Sequence, residues 1–251
     1  MPPTMRVRAP FEQGLDLPPP FTPVGLRERF DAFTHAVDIA SQCGAGTLVH
    51  VGRFDLAEFA VVLEPDEPLR TARRALYAGM VALSDALVAG APPGKLVTIE
   101  WPDVVRIDGG LIGGGRLGWP EMTREDERPE WLVFGAMIRT ALMSGEERGA
   151  HPLATSLEQE GFGDVGAARL TEAFARHLMT ACDVWQSDGF DSLVRQFVQR
   201  LPRTPGVIHE IAENGDLLVR RTGDADAVRC ALLPALKSPS WLDPDTEGPR
   251  L

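Results

Sequence analysis

The chain has 251 residues, 44% hydrophobic and 24% charged, which is enough for one core-forming domain with a small appendage. Thirty-six acids against 25 bases give a formal charge of −11, which argues against a broad footprint for nucleic acid or an anionic membrane. Only Lys95 and Lys237 are lysines, so lysine-dependent chemistry has two candidates.

Residues 2–23 hold seven prolines, a density that excludes helix and central strand and predicts an extended arm over 1–23. Leu26, Phe30, Phe33, Val37 and Ala40 recur at spacings of three and four, which predicts a helix ending at Gly44 and Gly46. Strands are expected over Thr47–Val51 and Phe59–Leu63, joined by a short loop from Gly52 to Glu58. Asp66 and Pro68 open a helix whose apolar face runs from Leu69 to Leu87, before Gly90. Leu96–Trp101 reads as a strand stopped by Pro102, and Val104–Ile107 with Leu111-Ile112 flank the turn Asp108-Gly109-Gly110.

Residues 120–130 are polar and charged, and Trp131–Ile138 is a buried strand. Leu170, Phe174, Leu178, Ala181 and Trp185 mark one helix face, and Phe190, Leu193, Val194, Phe197 and Leu201 another. After Pro202 and Pro205, two short strands around Asn214-Gly215 predict a hairpin with a type I′ turn. The expected organisation is the arm, a domain over 24–202 and a small β-rich module over 203–251, of class α+β.

Cys43, Cys182 and Cys230 are odd in number and far apart, so neither a disulfide framework nor a metal site is expected. The opening MPPTMRVRAP lacks a secretory apolar core, and no run approaches a membrane span, so a cytoplasmic protein is expected.

The segment Glu100-Trp101-Pro102-Asp103-Val104-Val105, with the returning Gly110-Leu111-Ile112-Gly113-Gly114, resembles the biotin/lipoate A/B protein ligase superfamily. Biotin protein ligases carry Lys-Trp-Pro-Asn-Asp at a strand end, then a hairpin and a Lys-Leu-x-Gly-Ile segment. The resemblance implies a biotin protein ligase/class II synthetase-like mixed sheet with flanking helices, and a pocket for a biotin-like or lipoyl/acyl group. It also implies a biotinyl- or lipoyl-carrier domain as partner, and pairing into a homodimer through sheet edges.

The departures concern the chemistry. The ligases' Gly-Arg-Gly-Arg loop is reduced to Gly52–Glu58 with Arg53 as its cation. Glu100 and Gly110 replace two lysines, and no glycine can polarise a developing charge. Both changes argue against ATP and Mg²⁺. Two functions stay open: an enzyme that attaches or transfers the group to a carrier lysine, and a non-catalytic binder of ligand or carrier that keeps the fold.

Candidate ligand-binding residues are Arg53, Trp101, Asp103, Gly113, Gly114, Gly115 and Arg116. The glycines would let a ligand lie against backbone, the arginines would meet a carboxylate or phosphate, Trp101 would line an apolar pocket and Asp103 would orient an amide. Each has a plainer structural reading: a bulged strand, solvated arginines, a core aromatic and a satisfied turn. His50 is a candidate general base beside Arg53, and Cys43 a candidate acyl carrier at a helix end.

Overall fold

The computed structural model describes residues 14–142 and 153–251; the arm's residues 1–13 and His151 lie outside this range. Seven strands build one mixed sheet, whose strands are β1 (Thr22–Leu26), β2 (Thr47–Val51), β3 (Leu56–Leu63), β4 (Val97–Glu100), β5 (Val104–Ile107), β6 (Gly110–Gly118) and β7 (Leu132–Arg139). Their order across the sheet is β1-β2-β3-β7-β6-β5-β4. Only β1 and β2 pair in parallel; every other neighbour is antiparallel. The arm therefore ends in an edge strand, where Pro23 interrupts no inner ladder.

The helix expected from Leu26 onward is shorter. Leu26 belongs to β1 opposite Val51, and α1 spans Ala32–Ile39. Asp31 caps it by accepting from the Thr34 amide at 2.5 Å, which sets the start. The helix after Pro68 is divided into α2 (Leu69–Ala72) and α3 (Ala75–Gly90), and α4 (Ala167–Asp188) and α5 (Phe190–Val198) follow the sheet. These helices cover one face of the sheet. Phe59, Phe134, Leu83, Phe174 and Phe197 form the main core there.

The hairpin between β5 and β6 has Asp108 and Gly109 at φ 49° and 89°, as its tight turn demands. Further along, Val105 pairs Gly113 while Arg106 pairs Leu111, which leaves Ile112 as an extra residue. That bulge resets the alternation. Ile112 and Gly115 face the helices, whereas Gly114 and Arg116 face the opposite side.

A three-stranded sheet of β8 (Val207–Ile211), β9 (Leu217–Arg221) and β10 (Val228–Cys230) follows, then α6 (Leu232–Lys237). The β8–β9 connection differs from the expected type I′ turn. Residues 212–216 separate the last pair Ile211–Leu217, and Gly215 at φ 88° is the positive-φ position there. After α6 the chain returns to the main sheet. Trp241, 1% exposed, packs with Leu56, Val104, Leu111 and Met137 on the face away from α3 and α4.

Candidate functional site

The face opposite α3 and α4 is covered from two sides. At one end α1 lays Phe33 over Gly118 and Gly135, where any side chain would collide with the ring. At the other end Trp241 lies on Gly114, where a Cβ would sit 2.5 Å from the indole and 2.3 Å from the Asp103 carbonyl. Gly114 is thus a floor on which only backbone is exposed to the covering ring.

Between the two covers runs a strip of charge. Glu58, 4% exposed in the middle of β3, accepts from the Ala32 amide at 2.7 Å. Burial pushes its carboxyl upward, and the guanidinium groups of Arg53 and Arg116 partly offset that rise. Arg116 donates to Asp31 at 2.5 Å and stacks over the Phe33 ring at 4.2 Å. Burial works to raise the Asp31 carboxyl, but Arg116 and the Thr34 amide together hold it below its ordinary value.

Asp103 follows the cis Trp101–Pro102 peptide and is 1% exposed. Its carbonyl accepts from the Gly115 amide at 2.8 Å, which fixes the turn against β6. Both carboxyl oxygens are buried without a hydrogen-bond partner. Burial raises the acid to about 7 and Glu100 adds to the rise. The nearby Trp241 N–H moderates it, although that N–H is committed to the Gly115 carbonyl at 3.0 Å and makes no hydrogen bond to the carboxyl.

The sheet divides the sequence-derived candidates. Asp103, Gly114 and Arg116 face the side covered by α1 and Trp241. Trp101 turns toward the helices and donates to the Tyr77 hydroxyl at 2.9 Å, and Tyr77 in turn donates to the Gly215 carbonyl at 2.5 Å. Gly113, at φ 151°, answers the close approach of the Met137 carbonyl, and Gly115 makes room for Met80 and Phe134. Those two glycines serve packing at the bulge.

His50 shares the helix-covered side with Leu48, against Gly25 of β1. Burial lowers its imidazole pKa, which favours the neutral ring. With Arg53, Phe30 and Thr171 it lines an open groove of about 830 Å³ at the ends of β1 and β2. Arg53 makes a bidentate pair with Asp55, at 3.1 and 2.7 Å. Cys43 lies in the turn before β2, whereas His50 and Arg53 come at and beyond the other end of that strand. It packs against the α1 cluster, and the structure does not bring it to His50.

Of the two lysines, Lys95 is held by Asp108 at 2.9 Å and Glu160 at 2.6 Å, and Lys237 ends α6. Glu100 binds Arg106 at 2.8 Å. Two participants escaped the sequence reading. Glu58 had one signal, an acid within the apolar run Leu56–Leu63; Trp241 had none beyond being an aromatic in a Pro- and Asp-rich stretch. Among the described residues no group of three or more His, Cys, Asp or Glu side chains can hold a metal ion. No helix among them is long and apolar enough to cross a membrane.

The family model described as "Biotin/lipoate A/B protein ligase family" matches residues 17–199. No curated protein sequence matches the chain. Among solved structures, a biotin protein ligase-like protein of unknown function from Silicibacter sp. is 26% identical with a TM-score of 0.77, covering 89% of this chain and 99% of that one. The apo biotin protein ligase of Aquifex aeolicus is 13% identical with a TM-score of 0.63, covering 83% and 95%. The Leishmania major biotin protein ligase in complex with biotinyl-5-AMP is 16% identical, with a TM-score of 0.52 over 85% and 99%. The last two likenesses concern the fold alone.

Proposed function

The chain belongs to the biotin/lipoate A/B protein ligase family, and from that premise we propose that it binds a biotin-like or acyl ligand without running ATP-driven transfer. On this reading the ligand takes the part of the sheet face beside α1 that Trp241 covers, against Gly114, with Asp103 as the polar group that orients it. One observation supports the loss of ATP chemistry: Arg53, Arg116 and Lys95, the cations closest to the family's charged positions, are each held by carboxylates, while Arg27 and Arg29 line the groove beside Arg53. Arg53 is paired with Asp55, Arg116 with Asp31, and Lys95 with Asp108 and Glu160. A triphosphate held by any of these three would have to break such a pair and leave a half-buried carboxylate behind, which costs more than the new contact returns. A carrier domain bearing the modified group is the protein partner on this reading.

The test is a thermal-shift panel of biotin, lipoate and octanoate, each with and without Mg-ATP. An acid at about 100 times its dissociation constant adds roughly 2.7 kcal/mol of stability. The expected result is a shift with an acid alone and no further shift from Mg-ATP. Acid-dependent exchange of pyrophosphate into ATP would overturn the reading in favour of an enzyme that attaches the group to a carrier lysine.

A further inference from the structure

We infer that the segment 239–250 is a displaceable occupant of the ligand cleft, with Trp241 holding the place of the ligand's ring and a ligand entering by expelling it. The inference rests on the reading above, which puts the ligand on Gly114. Three features of the contact support it.

The first is how the indole is seated. Its Cδ1–Nε1 edge sits on a glycine, and it donates its only N–H to a strand carbonyl, that of Gly115, at 3.0 Å. A planar ring with an N–H donor is therefore what this floor accepts.

The second is the mismatch beneath it. Both oxygens of the Asp103 carboxyl are buried and lack a partner while Trp241 is in place. An occupant shaped only for stability would satisfy that group, because a buried polar group without a hydrogen bond is costly. Indole has one N–H and spends it on Gly115. A ring with two N–H donors, such as a cyclic urea, serves the carbonyl and the carboxyl together.

The third is separability. Trp241 belongs to a small cluster with Leu56, Val104, Leu111 and Met137, distinct from the main core on the other face. Beyond the indole, the segment accepts from the Arg139 guanidinium at the Pro249 and Arg250 carbonyls, at 2.6 and 3.3 Å, while the bonds of the Arg250 amide to the Trp241 carbonyl and of the Asp243 amide to the Gly248 carbonyl, both 2.8 Å, lie within it. It can leave as a unit without opening the helix-packed core.

A bound plug lowers apparent affinity by the fraction of molecules in which the cleft is free. The experiment is calorimetric titration of biotin into the full chain and into Trp241→Ala, with hydrogen exchange of the Trp241 indole N–H followed in the unaltered chain. The expected result is at least tenfold tighter biotin binding by Trp241→Ala, and faster exchange of the indole N–H, freed from the Gly115 carbonyl, when biotin saturates the unaltered chain. Equal affinity with unchanged exchange would overturn the plug and leave the ligand reading standing, since biotin would then bind beside the indole. No binding to either chain would overturn both. Should Trp241→Ala fail to fold, Trp241→Phe keeps a ring on Gly114, removes the N–H, and supports the same comparison. Octanoate, which carries no N–H, is expected to bind more weakly than biotin to both chains while gaining the same factor from Trp241→Ala, because a plug lowers the affinity of every occupant of the cleft alike; octanoate binding as tightly as biotin would overturn the assignment of a donor-bearing ring.

Discussion

Trp241 donates its indole N–H to the carbonyl of Gly115, a residue 126 positions earlier in the chain and next to the glycine on which the ring rests. The floor tolerates no side chain. Gly114→Ala drives a methyl group into the Asp103 carbonyl and the indole, so it should destabilise the chain by about 1–3 kcal/mol in denaturant unfolding. The same substitution should speed exchange of the Trp241 indole N–H, whose bond to the Gly115 carbonyl reports the docked segment. Unchanged exchange would mean that the segment follows the floor without loosening.

Asp103 makes stability depend on pH in an unusual direction. Its acid is ordinarily near 3.8 and stands at about 7 in the folded chain. Between those values the folded chain keeps a proton that the unfolded chain has released. The contribution is complete below about 3.8, declines as pH rises, and is gone above about 7, with a slope approaching 1.4 kcal/mol per pH unit. Asp103→Asn should flatten that decline. Urea midpoints at several values between pH 4.5 and 7.5 measure it, and an unaltered slope would place its origin elsewhere.

Tyr77→Phe should cost about 1–3 kcal/mol, because the hydroxyl serves two partners at once. It accepts from the Trp101 indole and donates to the Gly215 carbonyl, so its loss strands both groups. The β8–β9 hairpin should exchange faster as a result. Circular dichroism melts together with amide exchange at residues 215–217 would show it.

Arg116 and Arg53 should respond differently to removal. The Arg116 and Asp31 side chains are 15% and 20% exposed, and Arg116 also stacks on Phe33. Arg116→Ala should cost about 2 kcal/mol and return the Asp31 acid upward. Arg53 is 33% exposed and lines an open groove, so Arg53→Ala should cost under about 1 kcal/mol. Equal losses in chemical denaturation would refute the distinction.

Much of the fold follows from periodicity. The apolar faces of α4 and α5, the strand Thr47–Val51 and the Asp108-Gly109 turn are each set by near neighbours. The α1 boundary is not, since Leu26 and Phe30 fit the helical spacing although Leu26 pairs with Val51 and Asp31 supplies the cap. The site was partly legible through the Trp-Pro-Asp stretch and the glycines. What decided their roles was one extra residue, Ile112, which turns Gly114 and Arg116 to one face and Gly115 to the other. Trp241 was out of reach because its partner is a surface that exists only after seven strands assemble, and nothing local marks it.

Trp241 also fixes an order of events during synthesis. It is translated after every strand of the sheet it covers, since β7 ends at Arg139. Chains lengthen at about 5–20 residues per second and assemble from the N-terminal side first, so the hundred residues between them take several seconds to appear. For that interval the chain has no indole to lay on Gly114, so the two sides of this contact are made at different times.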